Sequence, residues 1–308
     1  MFNKIFGQNK NKLEITSSIE LSPGLRSTIM NFLGSRGIPS MPNTAAKAFR
    51  LTVDPNSTAK DFIQVIESDE SMSARVIRIA NSVYFDRGNG SKTIEGSVNI
   101  IGLNELRCLL NANSLPELMP SKHPLRAQFW SNDIATAIFA RNIAASKNPN
   151  LQGTAFLAGL MHDIGKLLLL QRLDSEYAEI IRIVQNKECD FCAAEEEVIA
   201  FNHCELGQII GEKWNFTPDI IEAIRGHHLP WEKLASTPSL SAIVKAADIL
   251  AHSLGIGHAS GFGKFKIRCE AELDRALSII GVSVDQKREY LQQCQKNFEM
   301  ESELYLSS

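Results

Sequence analysis

Aromatic side chains make up only 7% of the 308 residues and nowhere interleave with basic ones, so the stacking platforms that hold single-stranded nucleic acid are missing. Neither sign of charge dominates. The formal net charge is −3 and the pI about 6.2, which removes the general electrostatic reason to bind nucleic acid or an anionic membrane. The opening segment Met1-Phe-Asn-Lys-Ile-Phe-Gly-Gln-Asn-Lys-Asn-Lys12 lacks the apolar stretch of a secretory leader and reads as a frayed tail over residues 1–20. Lys166 interrupts the longest apolar run, so no membrane-spanning stretch and no stable membrane insertion are expected. A cytoplasmic protein follows. Its six cysteines, at positions 108, 189, 192, 204, 269 and 294, are dispersed and should be reduced. Cys189-Asp-Phe-Cys192 has the spacing of a redox motif but falls in a helical neighbourhood, without the βαβ context such motifs use. There is no internal repeat, no low-complexity block and no glycine-rich phosphate loop.

What is present is helical periodicity and ample core material, 44% hydrophobic residues. Ile63, Val65, Ile66, Met72, Val76, Ile77, Ile79 and Ala80 recur at helical spacing over two short segments. Thr58 with Asp61 forms a capping-box pattern, and Thr93-Ile-Glu95 marks another helix start. Thr217-Pro218 and Thr237-Pro238 each set a capping hydroxyl before a proline suited to the first helical position. Gly37, Gly102, Gly153 and Gly226 punctuate the segments, and Asn89-Gly90 sits in a polar loop rather than between alternating apolar runs. The fold class is all-α. Pro116, Pro120 and Pro124 mark a boundary, giving a helical unit over 21–120, a second over 121–258 and a helical extension over 259–308. Gly255 to Gly263 reads as a loop leading to the last helices, near 270–280 and 284–299.

Polar residues stand out where the chain is most apolar. His162-Asp163 lies inside Leu157-Ala-Gly-Leu-Met-His-Asp-Ile-Gly-Lys-Leu-Leu-Leu-Leu170, and an imidazole and a carboxylate are expensive to bury without a partner. His203 opens His-Cys-Glu-Leu-Gly207, where Gly207 would let a helix approach a neighbour closely. His227 and His228 end the helix begun at Pro218. Asp248 sits in Ile243-Val-Lys-Ala-Ala-Asp-Ile-Leu250, with His252 one turn on. Imidazole and carboxylate are ordinary ligands of a divalent iron, manganese or zinc ion. A bridging carboxylate can hold two such ions about 3.5–4 Å apart and activate water, with Lys166 neutralising a phosphate or a surplus carboxylate. The bland alternative is that each histidine hydrogen-bonds within the core.

Two sets of segments resemble the HDOD domain. The first comprises Ile38-Pro-Ser-Met-Pro42, the stretch Ile66 to Tyr84 containing Ala80-Asn-Ser82, and Thr93 to Leu103. The second comprises Phe129-Trp-Ser-Asn132, the His162-Asp163 run, Phe201-Asn-His-Cys-Glu-Leu-Gly207 and Ile221-Glu-Ala-Ile-Arg-Gly-His-His228. The likeness covers roughly residues 25–255. It implies an N-terminal helical bundle packed on an HD-like helical subdomain, in a bacterial regulatory protein related to the HD phosphohydrolases but signalling rather than catalytic. Set against the active HD enzymes, His162-Asp163 match the His-Asp doublet and Asp248 the distant aspartate. His203, His227 and His228 match the further histidines of two-metal members. Lys166 matches the lysine after the doublet and would be catalytic only in an enzyme. The first histidine should stand where this chain has Asn132, and an amide is the poorer ligand, so the metal site is expected to be partial. His227-His228 run into Leu-Pro-Trp-Glu-Lys233 rather than a Gly-Tyr-Pro loop, which argues against cyclic-di-GMP hydrolysis. Three readings result: a non-catalytic module binding protein partners of a bacterial signalling pathway through a face around Arg75, Arg78 and Asn81; a metal-dependent phosphohydrolase acting on a nucleotide or other phosphate ester; and a sensor that binds a nucleotide without turning it over.

Overall fold

Helical periodicity becomes helix throughout. The computed structural model describes residues 20–306 apart from 42, 55, 86–89, 115–118, 174, 188, 235–238 and 258–262, and no strand occurs among the described residues. The predicted tail, Asn89, Pro116 and the Thr237-Pro238 cap lie outside them. The first half contains α1 (Pro23–Leu33), α2 (Asn43–Val53), α3 (Ala59–Glu67), α4 (Glu70–Ala80), α5 (Ile94–Ile101) and α6 (Leu103–Ser114). At the start of α3 the Thr58 N–H and hydroxyl both donate to Asp61 Oδ2, at 2.8 and 2.7 Å. Thr93 caps α5 by accepting from the Gly96 N–H. Gly102, at φ 80°, ends α5 in a conformation that favours glycine.

The second half is built on α7 (Arg126–Lys147), α8 (Gln152–Met161), α9 (Ile164–Arg172), α10 (Ser175–Asn186), α11 (Phe191–Ile199), α12 (His203–Lys213), α13 (Pro218–Gly226) and α14 (Leu240–Ser253). After it come α15 (Gly263–Ile279), α16 (Lys287–Glu301) and the short α17 (Glu303–Leu306). Helix α15 therefore begins earlier than the sequence suggested. Gly153 lies inside α8 rather than between segments, and Pro218 takes the first position of α13 without a capping bond from Thr217.

Helix α7 is the axis. It is buried all round from Asn132 to Arg141, as befits a central helix, and packs most extensively on α8 and α14. Helices α2 and α6 lie against α8, so one apolar cluster runs from Leu21 to Tyr305. The run Pro149–Arg172 corrects the expectation about apolar length: it is long and apolar enough to cross a membrane by composition, but 89% of its apolar window is buried in this core. Polar staples reinforce the packing. Arg172 donates to the carbonyls of Leu33 and Gly37, and the Trp214 indole N–H donates to Pro39 O at 3.0 Å. Arg141 pairs with Glu105 at 2.7 Å and with Glu301, while Tyr305 donates to Glu105.

Candidate metal centre

The His-Asp doublet falls at a junction. His162 closes α8 and Asp163 opens α9, so the two side chains leave the chain where neither helix continues smoothly. Helix α9 crosses α12 so closely that a Cβ on Gly165 would overlap the carbonyl oxygen of His203. The predicted close approach at Gly207 is there as well, with a Cβ 2.6 Å from Ile224 Cγ2. This crossing brings His203, the first residue of α12, to Asp163. An Asn202–Glu205 capping box fixes that end of the helix.

Three imidazoles are oriented alike. His162 Nδ1 lies 2.7 Å from Gly159 O, His227 Nδ1 2.9 Å from Ile224 O, and His203 Nδ1 2.7 Å from Glu195 Oε2. A carbonyl can only accept, so Nδ1 carries the proton in the first two. In each ring Nε2 is then the atom left to face the centre. His203 Nε2 lies 3.1 Å and His227 Nε2 3.6 Å from Asp163 Oδ1. His162 Nε2 lies 3.6 Å from Asp163 Oδ2 and 3.5 Å from Asp248 Oδ1. His252 Nε2 is 3.1 Å from the same Asp248 oxygen. His228 lies beside His227 with ring centres 4.2 Å apart and the planes tilted by 47°. His162 Nε2, Asp163 Oδ1 and Asp248 Oδ1 are buried without a hydrogen-bond partner. Orphaned acceptors at such spacings suit a shared divalent cation, with bonds of about 2.0–2.2 Å. The donor set therefore fits a metal.

Electrostatics bind the cluster together. Lys166 pairs with Asp163 and lies 4.5 Å from the centre of the Phe191 ring. Burial alone would raise the Asp163 carboxyl, but Lys166, His162 and His203 hold it well below the usual range. Asp248 is likewise held low against burial by His252 and His162. Burial opposes charge on His227, yet Cys204 and Asp163 push it up to about 9. Asn132 is buried with both amide atoms unpartnered. Its neighbour Asp133 is buried with neither oxygen bonded, and Oδ1 is 3.9 Å from His162 Nδ1.

Several members were not singled out from sequence. Asp133 has no sequence signal that sets it apart from an ordinary helix charge. Glu195 lies in an acidic run that reads as solvated surface. Cys192 and Cys204 approach His203, and their signals were the Cys-x-x-Cys spacing and the residue following His203. The face around Arg75, Arg78 and Asn81 lies away from this centre, at the end of α4. Asn81 ends that helix and clamps Ser91, donating to its carbonyl and accepting from its N–H, each at 2.7 Å. A cavity of about 480 Å³ reaches this cluster at His227, His228 and Asp248, with Lys245, Arg275, Glu232 and Glu272 in its wall.

Comparison with known proteins follows the same lines. The family model of the HDOD domain matches residues 38–230. A Treponema pallidum (strain Nichols) protein is 23% identical over 211 residues, which are 68% of this chain and 41% of that protein, so the chain spans less than half of that relative. An HDOD domain protein of unknown function from Geobacter sulfurreducens superposes with a TM-score of 0.71 at 21% identity, over 90% of this chain and 96% of its own. A candidate phosphohydrolase from Shewanella amazonensis gives 0.68 at 24% identity, over 90% and 98%. A candidate signal transduction protein from Marinobacter aquaeolei gives 0.73 at 20%, over 95% and 69%. At these identities the likeness is one of fold.

Proposed function

Since the chain belongs to the HDOD family, we propose that it is a bacterial, cytoplasmic signal-transduction protein that acts by binding a protein partner. In this reading the unit over 21–120 offers the binding face, completed by the last helices of the extension over 259–308, and the HD-like unit over 121–258 supports it. The carrying observation is a groove of about 1320 Å³ at the end of α4, lined by Arg78, Asn81 and apolar side chains from α5 and the C-terminal helices. Seven large apolar side chains are exposed among the described residues, and four of them, Val83, Tyr84, Met300 and Leu306, line this groove. Exposed apolar side chains concentrated in one place mark an interaction site. Arg78 at its rim would steer an acidic partner, with Arg75 one turn earlier. The metal centre then serves as a fixed polar core, because Asp163 is already paired with Lys166 and the first expected histidine is Asn132.

A second reading is favoured by the cavity at His227, His228 and Asp248, whose Lys245 and Arg275, now paired with Glu272 and Glu232 of the same wall, would turn to a nucleotide or other phosphate ester. There His162, Asp163, His203, His227 and Asp248, with His228 beside them, would hold iron, manganese or zinc. The metal would supply a water of lowered pKa and charge stabilisation at a phosphoryl oxygen. Lys166 would keep Asp163 ionised, and Lys245 and Arg275 would orient the phosphate.

One experiment separates the two. A photo-cross-linking residue at Val83 is expected to trap one discrete protein adduct in cells, lost when Arg78→Glu is added. Iron-, manganese- and zinc-loaded protein is expected to leave phosphate esters and nucleotides intact. Hydrolysis abolished by Asp163→Ala, with no adduct at Val83, would replace the first reading with the second.

A further inference from the structure

His203 faces two kinds of donor. On one side its Nε2 meets Asp163; on the other lie Cys204 Sγ at 3.4 Å and Cys192 Sγ at 4.0 Å. The two sulfurs are 3.7 Å apart. A disulfide needs about 2.05 Å, whereas two thiolates on one tetrahedral zinc, with bonds of about 2.3 Å, stand about 3.8 Å apart. His228 completes the group: the ligand atoms of Cys192, His203, Cys204 and His228 all lie within 4.8 Å of one another. Three elements deliver them. Cys192 comes from the first turn of α11, His203 and Cys204 from the first turn of α12, and His228 from the segment after α13. Glu195, one turn beyond Cys192, accepts from the His203 backbone N–H at 2.7 Å and lies 2.7 Å from Nδ1. A carboxylate behind the ring is how ligating histidines are commonly oriented.

We propose that Cys192, His203, Cys204 and His228 form a thiolate-containing zinc site, set beside the carboxylate–imidazole centre and sharing His203 with it. Two thiolates select zinc over the harder manganese ion. His228 lines the cavity of about 480 Å³, which gives the ion a path in. Because one Nε2 cannot serve both neighbours equally, zinc on the sulfurs draws His203 away from Asp163. The identity of the ion thereby sets how many ligands remain for a metal on the carboxylates. The site stands whether or not a partner docks in the groove, and its test reads neither turnover nor partner binding.

Zinc-loaded, full-length protein is measured by X-ray absorption at the zinc edge. The expected shell holds two sulfurs at about 2.3 Å and two nitrogens at about 2.0–2.1 Å, falling to one sulfur in Cys192→Ser. Nitrogen and oxygen alone, or a sulfur shell unchanged by the substitution, would overturn the site. Cobalt added to metal-stripped protein gives the second readout: a sulfur-to-cobalt charge-transfer band kept at full strength in Asp248→Asn and weakened in Cys192→Ser, where Cys204 alone remains. Failure of the reduced protein to take up zinc, or a Cys192–Cys204 disulfide that persists in its place, also overturns it. The measurement on the unaltered protein decides the matter even if a variant does not fold.

Discussion

Asp133 shows how much one carboxyl can matter in this core. Burial, relieved only partly by His162, pushes it up to about 7, against an unfolded value of about 3.9. The folded state therefore keeps a proton that the unfolded chain releases. The stability tied to this group is fully present below about pH 4 and is lost as pH rises toward 7. In metal-stripped protein, Asp133→Asn should match the parent near pH 4 and exceed it by a few kcal/mol near pH 8, on the order of the roughly three-unit shift. Urea denaturation at the two pH values checks this, and equal differences at both would refute it. Nothing in the sequence marked this residue, because a lone Asp on a helix is normally solvated and only the packing shows α7 covered on every side. His162, Asp163 and Asp248 were legible for the opposite reason: each interrupts a run apolar enough to make the cost of burial visible.

At the scale of elements, the centre depends on the crossing of α9 and α12. Gly165→Ala would drive a Cβ into the His203 carbonyl, a backbone atom that moves only if the helix moves. Gly207→Ala would meet the Ile224 side chain, which can turn aside. Gly165→Ala should therefore be the more damaging, by about 1–3 kcal/mol or more, and should separate His203 from Asp163. Thermal unfolding and metal uptake of the two variants side by side give the comparison; equal losses would show that the backbone contact is not decisive. The helices themselves were readable from periodicity and caps such as Thr58–Asp61 and Thr93. Their crossings were not, since a glycine in sequence shows that something comes near but not what. Gly207 was noticed beside His203, whereas Gly165 was hidden in the doublet's own run.

At the scale of the molecule, the group of buried Arg141, Glu301 and Tyr305 with partly buried Glu105 joins the first half, the central helix and the C-terminal extension. Arg141→Met should cost about 3–5 kcal/mol by leaving the buried Glu301 and the partly buried Glu105 without their cation, read as a lower urea midpoint with an unchanged slope. A loss under 1 kcal/mol would show that the joint is not held by this cation. Fold class was plain from the sequence, as was the family likeness carried by Ala80-Asn-Ser82 and the doublet. This joint was not, because its contacts span 36 to 200 positions and a single sequence carries no pairing information at that range. The same separation has a temporal side. Arg141 and Glu301 lie 160 positions apart, and at ribosomal speeds of about 5–20 residues per second the interval is roughly ten to thirty seconds. Through that delay the nascent chain carries an arginine destined for the interior with only one of its two carboxylate partners, Glu105, already made, and the second, Glu301, still to be translated.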